Sequence, residues 1–225
     1  MLCPGVKSAP PVGSAGLPLF VTAGKAISDI QVKISYRIIE LFSEGLYASP
    51  TKAIEELVSN SFDAGANNVH VIISPDLTAV DAIIAVIDDG ESMDEEGLKQ
   101  HWHIGVSNKR QRRDLPRGRR PIGKFGIGKL ATFVLAHKLT HVCKRGKRYF
   151  AATMNYSDMP AGRGGGVELE EGGKVNLPLR ELTLKEARSC LPRLLFGSRD
   201  GYTAIPLFGN NAPKSWTIAI MSDLK

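Results

Sequence analysis

A short segment of the chain, AIEELVSNSFDAGA at residues 53–66, constrains the fold more than any other part of the sequence. Its composition predicts a helix over residues 50–64, with Glu56, Asn60 and Asp63 at positions i, i+4 and i+7. That spacing places the three polar side chains in one row along a single helix face, among apolar neighbours that can pack against a core. The row is either an ordinary solvated face or a set of functional groups beside a ligand.

A second polar feature follows a run of β-branched and small apolar residues in VIDDGESM, residues 86–93. The run predicts a buried strand over residues 82–88, and Gly90 predicts a turn directly after it. Asp88 therefore stands at the end of a strand, where its carboxylate is well placed to accept a hydrogen bond from a ligand amine. The alternative is an ordinary acidic turn.

Glycines recur in GKFGIGK at residues 123–129, directly before an apolar run that predicts a helix up to residue 138. Gly123, Gly126 and Gly128 allow backbone N–H groups to approach an anion closely, and the N-terminus of a helix favours negative charge. The segment is not a Walker A loop, because Leu130 stands where that loop has Ser or Thr. A phosphate-binding turn and a flexible connector are the two interpretations.

The remaining sequence alternates between helical and extended patterns. Helical spacing predicts further helices over residues 34–44, 93–102 and 182–195. Strand patterns occur over residues 68–74, 139–145, 147–156 and 215–224. Helices interleaved with strands predict an α/β sandwich whose sheet is covered on one face, and the hairpin around Gly146 argues against a purely parallel sheet.

The chain length suits one domain with a tail. Residues 1–25 have no basic start, and their apolar positions are broken by Pro and Gly, which predicts a flexible arm rather than a signal peptide. Residues 26–225 form the predicted domain. It contains a basic loop at residues 104–122 and an irregular insertion at residues 158–214 before the last strand.

Composition narrows the class of protein. The net charge of +6 permits anionic partners without specifying one, and no apolar run approaches the length of a membrane span. The three cysteines lack CxxC spacing, so neither a disulfide framework nor a zinc site is predicted, and a reducing cytoplasm is the expected compartment. The two histidines of HWH, residues 101–103, have no third ligand in the sequence and indicate surface or packing positions.

The three motifs, in this order and spacing, resemble those of the GHKL ATPase superfamily, which includes DNA gyrase B subunits, ninety-kilodalton heat-shock chaperones, histidine kinases and MutL. EELVSNSFDAG is similar to the ExxxN helix, DDGESM to the DxGxG turn, and GKFGIGKLATFVLA to the third glycine motif in its chaperone and MORC form. The resemblance covers roughly residues 32–145. It implies a Bergerat fold, which is a two-layer α/β sandwich with a mixed, mostly antiparallel sheet, in which ATP lies between helices and sheet under a mobile lid.

The resemblance also implies a role for each member of the polar helix row. Asn60 would ligate Mg²⁺ through its side-chain oxygen, and Glu56 would act as general base on the attacking water. The step of four residues to Asn60 selects Glu56 over its neighbour Glu55. Asp63 would support the site from one turn further on.

On the opposite wall, the resemblance implies that Asp88 accepts a hydrogen bond from the adenine amine, that Gly90 makes room and that Met93 packs near the ring. The other implied nucleotide contacts are Ala64, Gly123, Lys124, Phe125, Gly126, Ile127 and Gly128. The sequence departs from the DxGxG pattern at Ser92, where the family has its second glycine. A side chain there either crowds the nucleotide or is accommodated by the turn.

The basic loop at residues 104–122 corresponds to the ATP lid of the family that the chain resembles. Eight lysines or arginines fall within residues 109–124 against one acidic residue. A solvated loop, a clamp on nucleotide phosphates and a nucleic-acid contact are the interpretations, and the lack of interleaved aromatic residues disfavours the last. The implied function is Mg²⁺-dependent ATP hydrolysis that drives lid closure, with a homodimer or another protein as partner. A nucleotide-binding switch without hydrolysis and a DNA-binding module are the alternatives.

Overall fold

The computed structural model describes residues 19–34, 49–102, 118–119, 122, 128–158, 173–191 and 205–225. Within these residues the α-helices are α1 Leu19–Thr22, α2 Pro50–Asp63, α3 Glu95–Trp102 and α4 Leu184–Cys190. The strands are β1 Lys25–Ile34, β2 Val69–Ile73, β3 Ile83–Asp88, β4 Ala136–Arg145, β5 Arg148–Asn155, β6 Gly173–Leu182 and β7 Ser215–Leu224. Two 3-10 helices lie at Gly128–Val134 and Tyr156–Asp158. None of the helices in these ranges is long and apolar enough to cross a membrane.

The strands form one seven-stranded sheet in the order β1-β6-β5-β4-β7-β3-β2, and every described pair is antiparallel. β4 and β5 form the predicted hairpin, in which Arg145 pairs with Arg148 and Gly146 has a φ of +63° that favours glycine. β7, the last strand in sequence, lies between β3 and β4. The α/β fold with a mostly antiparallel sheet is therefore confirmed.

Apolar side chains cover both faces of the sheet. On one face, Leu57 of α2 and Leu98 and Trp102 of α3 pack with residues from the strands. On the other face, Phe20 of α1 and Ala187 of α4 pack around a second set of strand residues. The layer of α2 and α3 is the predicted helical layer. Helix α4 lies within the helix predicted over residues 182–195, whereas α1 was not predicted, and the cover that both give to the opposite face goes beyond the single helical layer expected. This cover is needed because strands such as β3 are buried along their whole length.

Helix α2 carries most of the predicted site residues. It begins at Pro50, where the missing N–H costs no helical hydrogen bond, and Ser49 precedes it as N-cap residue without a side-chain cap bond. The helix ends at Asp63, and Gly65 follows with a φ of +74° that suits the chain reversal after a helix. The predicted helix is confirmed to within one residue at its C-terminal end.

Strand β6 lies inside the segment predicted as an irregular insertion, residues 158–214. Val175, Leu177 and Leu179 alternate into the core, but Pro178 and polar neighbours hide this pattern in the sequence. The strand pairs with β1 on one side and with β5 on the other. Its place depends on partners that are far away in sequence, which local patterning does not report.

The N-terminal boundary also differs from the predicted flexible arm over residues 1–25. α1 places Phe20 in the core at 1% exposure, and β1 follows where no strand was predicted. Ile30 and Val32 of β1 alternate into the core, whereas the residues beside them, Asp29, Gln31 and Lys33, are polar or charged. Most of the predicted helix over residues 34–44 lies outside the described residues.

The apolar run after the third glycine motif is not the predicted helix up to residue 138. Its first part forms the 3-10 helix Gly128–Val134, and β4 begins at Ala136. Ala136 pairs with Leu224 of β7, and Leu139 is fully buried in the strand. Pairing with β7 therefore overrides the helical pattern of a short apolar run, for which periodicity alone does not separate helix from strand.

Candidate functional site

Helix α2 and the end of strand β3 meet at a buried pair of polar side chains. Ser61, on the sheet-facing side of α2, places its Oγ 3.0 Å from Asp88 Oδ2 and 3.1 Å from the carbonyl oxygen of Leu57. Ser61 and Asp88 are only 3% and 5% exposed. The helix motif and the acidic turn of the sequence are thus joined by a direct contact.

The carboxyl of Asp88 is electrostatically unusual. Burial raises its pKa from 3.8 to about 6, because the charged form loses its hydration. The Gly90 N–H, 2.9 Å from Oδ1, and the Ser61 hydroxyl oppose this rise in pKa, while the nearby charge of Asp89 adds to it. Above pH 6 the group is a buried carboxylate, and such a perturbed acid marks a candidate ligand site.

The adjacent Asp89 has a structural role instead. Its Oδ1 accepts hydrogen bonds from the N–H groups of Asn67 and Asn68 at 2.7 and 2.9 Å, and its Oδ2 accepts from Asn68 Nδ2 at 2.8 Å. These bonds tie the connection after α2 to the turn after β3. Of the two neighbouring carboxylates, Asp88 therefore points into the protein and Asp89 holds a loop nearer the surface.

The turn after β3 packs closely against the C-terminal end of α2. A Cβ on Gly90 would lie 2.8 Å from the carbonyl oxygen of Ala64, 2.9 Å from the Ala64 Cβ and 2.9 Å from Asp88 Oδ1. The Ala64 carbonyl accepts the Glu91 N–H at 2.9 Å, and the Ser215 hydroxyl donates to the Gly90 carbonyl at 2.6 Å. The turn lies so close to α2 that position 90 requires glycine. Ala64 and the Asp88 carboxyl both lie against this glycine.

We expect Gly90→Ala to lower the free energy of unfolding by about 1–3 kcal/mol, since the added methyl group overpacks against backbone atoms. Denaturant unfolding of the variant and the wild-type chain measures this difference. Gly97→Ala in α3 is the comparison variant. A Cβ at position 97 would meet only side-chain atoms, the nearest at 3.2 Å, so this variant should lose less unfolding free energy than Gly90→Ala. Equal stability of Gly90→Ala and wild type would contradict the close approach.

Ser92, the departure from the DxGxG pattern, lies in the left-handed region with a φ of +58°. For a residue other than glycine this conformation costs about 1–2 kcal/mol. Its Oγ donates to the carbonyl oxygen of Trp216 at 2.7 Å and accepts from the Thr217 hydroxyl at 3.1 Å. Arg145 Nη1 donates to the Ser92 carbonyl at 3.3 Å. These bonds offset the strain, so the turn accommodates the side chain.

Two residues that the sequence-based predictions missed complete this wall of the site. Thr217 of β7 pairs with Asp88 of β3 on one side and with Cys143 of β4 on the other, which aligns the three side chains across the sheet. Burial raises the pKa of Cys143 to about 12, so it stays a neutral thiol, and Met93 packs against the same core cluster. The available signal was Thr217 itself, a polar position within the apolar run of the last strand.

The polar row of α2 lies beside the sheet-facing row. Asp63 is buried and its Oδ1 accepts the Ile122 N–H at 2.9 Å, so this side of the helix faces the segment that precedes the third glycine motif. Glu56 and Asn60 are partly buried on the same row. Glu55 is exposed and pairs with a lysine of the preceding turn. The two adjacent glutamates therefore have different surroundings.

Parts of the third glycine motif and of the basic loop also contact α2. Gly128 begins the 3-10 helix, which packs against α2. Arg119 of the basic loop donates to the carbonyl oxygens of Phe62 and Ala66 at 3.0 Å each, with its guanidinium 4.5 Å from the centre of the Phe62 ring. The other residues predicted to contact phosphates lie outside the described part of the chain: Gly123, Lys124, Phe125, Gly126 and Ile127. Their role stays a prediction.

The described residues contain no group of three or more His, Cys, Asp or Glu side chains that could hold a metal ion. A magnesium ion does not require such a group, because it keeps several waters and binds through one or two protein oxygens together with substrate phosphates. Asn60 offers an amide oxygen one helical turn from Glu56, in a partly buried position. A single amide oxygen of this kind suits an Mg²⁺ ion that is bound together with a phosphate ligand, and it does not by itself form a metal centre.

Comparison with known proteins adds an independent finding. A sequence model of the family described as histidine kinase-, DNA gyrase B-, and HSP90-like ATPases matches residues 47–170, more than half of the chain. The match includes the polar row of α2, the turn after β3 and the third glycine motif. All three segments that were singled out in the sequence therefore fall within one family match.

Two curated proteins are similar to about half of the chain. A putative type II restriction enzyme, HgiDII, from Herpetosiphon aurantiacus is 30% identical over 121 residues, which are 53% of this chain and 19% of that protein. The chaperone protein HtpG of Bacillus velezensis is 27% identical over 132 residues, 54% of this chain and 20% of that protein. The matched region is thus about a fifth of the length of each relative.

Among solved structures, the ATPase and transducer domains of DNA topoisomerase II from Balamuthia mandrillaris match with a TM-score of 0.39 and 14% sequence identity. The match covers 79% of this chain and 37% of that chain.

Proposed function

The chain belongs to the family of histidine kinase-, DNA gyrase B- and HSP90-like ATPases, and we propose that it binds ATP with Mg²⁺ and hydrolyses it to ADP and phosphate. The adenine would lie against Asp88 at the end of β3. The triphosphate would extend toward the polar row of α2 and the third glycine motif. The carboxyl, the helix row and the glycines would then act on different parts of one nucleotide.

The observation that carries this proposal is the buried carboxyl of Asp88, with Gly90 packed against α2 beside it. Burying a carboxylate is unfavourable unless hydrogen-bond donors satisfy its oxygens. The Gly90 N–H and the Ser61 hydroxyl supply one donor to each oxygen, and each oxygen has a further lone pair. The exocyclic amine of adenine is a donor of the kind that this acceptor can use.

For hydrolysis, we assign the general base to Glu56, which would accept a proton from the attacking water. Asn60, one helical turn further on, would hold Mg²⁺ through its side-chain oxygen, and the ion would offset negative charge on the phosphates. The glycines of the third motif would donate backbone N–H groups to the phosphates. Asp63 would keep the end of the basic loop near α2 through its bond to the Ile122 N–H.

Closure of the basic loop over ATP is the proposed conformational result. Arg119 and Ile122 attach the loop to the C-terminal end of α2, so a change at the nucleotide has a direct route to residues 104–122. A second copy of the chain or another protein would receive this change. The cytoplasm is the proposed compartment, in keeping with the free thiols of Cys143 and Cys190.

A nucleotide-binding switch without appreciable hydrolysis is the second candidate. The observation that favours it is Ser92, which places a hydroxyl in the wall of the site where the family motif has a glycine. Such a protein would bind ATP and change partners without turning the nucleotide over. Binding of nucleic acid by the basic loop is supported by the positive charge of that loop alone.

ATP with Mg²⁺ is expected to raise the thermal unfolding midpoint of the purified chain, since a ligand at a hundred times its Kd stabilises the folded state by about 2.7 kcal/mol. Phosphate release separates the two candidates. A rate above that of Glu56→Ala supports the ATPase, whereas equal rates support the switch. No stabilisation by millimolar ATP would contradict both, and steeply salt-dependent DNA binding would point to the nucleic-acid alternative.

A further inference from the structure

We infer that Arg119 is a positioning residue, which holds the start of the third glycine motif against α2 so that the motif's backbone N–H groups meet the nucleotide phosphates. The inference rests on the proposed function, in which those glycines bind the triphosphate. It gives a separate task to one arginine of the basic loop, a loop whose charge alone fits a solvated segment, a phosphate clamp or a nucleic-acid contact.

The guanidinium of Arg119 is directed at the C-terminal end of α2. Its Nη1 donates to the carbonyl oxygens of Phe62 and Ala66 at 3.0 Å each, so both N–H bonds of that nitrogen are used. The group also lies over the Phe62 ring, with its central carbon 4.5 Å from the ring centre. A cation is favourable here because the last carbonyl groups of a helix carry partial negative charge. The helix end, rather than a phosphate, is therefore the partner of this nitrogen.

A second contact fixes the same segment three residues later. The Ile122 N–H donates to Asp63 Oδ1 at 2.9 Å, and Asp63 is 4% exposed. The side chain of Ile122 is 52% exposed, so burial of this apolar group does not hold the segment in place. The polar contacts of Arg119 and of the Ile122 N–H do so instead. Gly123, the first glycine of the third motif, follows Ile122 directly.

The other end of the third glycine motif also lies against α2. Gly128 begins the 3-10 helix that packs on α2. Residues 123–127 thus connect two points that are both attached to the same helix. Because so short a stretch of chain has a limited reach, the place of its glycines depends on both points. Loss of Arg119 would release the first point and leave the second one attached.

The adenine side of the proposed site has its own attachments to α2 and to the connection after it. The Glu91 N–H donates to the Ala64 carbonyl at 2.9 Å, and Asp89 accepts the Asn68 N–H at 2.9 Å. Neither bond involves Arg119. Loss of the arginine should therefore weaken the contacts with the phosphates and spare the contacts with adenine.

The test compares the binding of ATP and of adenosine to the wild-type chain and to Arg119→Ala, by NMR titration in the presence of Mg²⁺. ATP affinity should fall by about tenfold or more in the variant, since displaced backbone donors lose their hydrogen bonds to charged oxygens. Adenosine affinity should stay nearly unchanged. The Ile122 amide should also exchange its hydrogen faster, because its bond to Asp63 is no longer supported. A merely structural role of Arg119 would weaken both ligands together.

Arg119→Lys separates positioning from direct binding of a phosphate. Lysine keeps the positive charge, but its compact ammonium lacks the planar fork that bonds two carbonyls while it stacks on a ring. The lysine variant should therefore bind ATP nearly as weakly as the alanine variant, with adenosine affinity again preserved. Recovery of ATP affinity by lysine would indicate an ionic contact with the phosphates and overturn the inference. This variant also provides the test if Arg119→Ala fails to fold.

Arg180 of β6 offers a matched control at α1, which covers the opposite face of the sheet. Its Nη2 donates to the carbonyl oxygens of Thr22 and Gly24 at 2.9 and 2.6 Å. Like Arg119, it is a guanidinium bound to carbonyl groups at the end of a helix. Arg180→Ala should lower the free energy of unfolding and leave the ratio of ATP affinity to adenosine affinity as in wild type.

Unchanged ATP affinity in Arg119→Ala, or an equal loss of ATP and adenosine affinity, would overturn the inference and leave the proposed ATP site intact. Unchanged hydrogen exchange at Ile122, or an altered affinity ratio in Arg180→Ala, would overturn it as well. Failure of the wild-type chain to bind ATP would overturn the proposed function and this inference together.

Discussion

The Asp88→Asn variant is expected to lose most of its affinity for ATP while the nucleotide-free protein becomes more stable. The carboxylate is the proposed acceptor for the adenine amine, and a hydrogen bond to a charged group contributes about 1.5–3 kcal/mol, or about ten- to 150-fold in Kd. The free protein gains stability because a neutral amide avoids the dehydration that raises the pKa of Asp88 to about 6. Lost binding together with increased stability is typical of a functional residue rather than a structural one.

The gain in stability depends on pH with a definite sign. Asp88 has an ordinary pKa of 3.8 in the unfolded chain and a pKa of about 6 in the folded protein. Between these values the folded state holds the proton more tightly, so wild-type stability falls as the pH rises through this window, and the loss is complete above pH 6. The difference between these two pKa values corresponds to about 3 kcal/mol. The advantage of Asp88→Asn should grow across this window and stay constant above it.

Denaturant unfolding at several pH values measures the stability, and titration calorimetry with ATP and Mg²⁺ measures the affinity. Asp89→Asn is the matched control, because that carboxylate accepts N–H bonds from Asn67 and Asn68 in the connection after α2. Its replacement should lower stability and leave ATP affinity intact. Undiminished ATP affinity in Asp88→Asn would remove Asp88 from the site.

The Glu56→Ala variant is expected to lose ATP turnover while ATP binding persists. A positioned general base contributes about 10²–10⁴-fold to the rate, so the rate of phosphate release should fall by at least about a hundredfold. Glu56 stands on the polar row, which faces the segment before the third glycine motif through Asp63. Alanine preserves the helix because it has the highest helix propensity.

The preceding residue provides a matched control for this prediction. Glu55 is exposed and pairs with Lys52, and exposed ion pairs contribute about 0–1 kcal/mol. Glu55→Ala should therefore turn ATP over at close to the wild-type rate. Phosphate release under saturating ATP and titration calorimetry give the rate and the affinity separately. Full turnover in Glu56→Ala, or an equal loss in Glu55→Ala, would contradict the assignment of the base.

The elements that the sequence predicted correctly have strong local patterns. α2 combines Pro at its first position with a continuous helical period, and β3 is a run of apolar residues that ends at an acidic turn. The β4–β5 hairpin is marked by Gly146 between two strand patterns. Each of these signals lies within a few residues of the element that it specifies, so no knowledge of the fold is needed to detect it.

The elements that were missed depend on distant partners. β1 and β6 are neighbours in the sheet, with Val32 opposite Val175, although more than a hundred residues separate them in sequence. Both strands carry charged or polar residues between their buried positions, which weakens any local strand pattern. β4 begins at Ala136 because it pairs with β7, and the preceding apolar run alone predicts a helix equally well. In each case, pairing with a distant strand of the sheet decides that the segment becomes a strand.

By itself, the sequence determined the polar row of α2 and the position of Asp88 at the end of a strand, because helical period and turn propensity are local properties. The tertiary structure alone decided what surrounds them. Ser61 and Asp88 are 27 residues apart, and Ser92 and Trp216 are 124 residues apart. Contacts over such distances exist only once the strands are ordered with β7 beside β3. Burial in that arrangement, rather than residue type, raises the pKa of Asp88, and the same strand order brings the Ser92 hydroxyl to its hydrogen-bond partners Trp216 and Thr217.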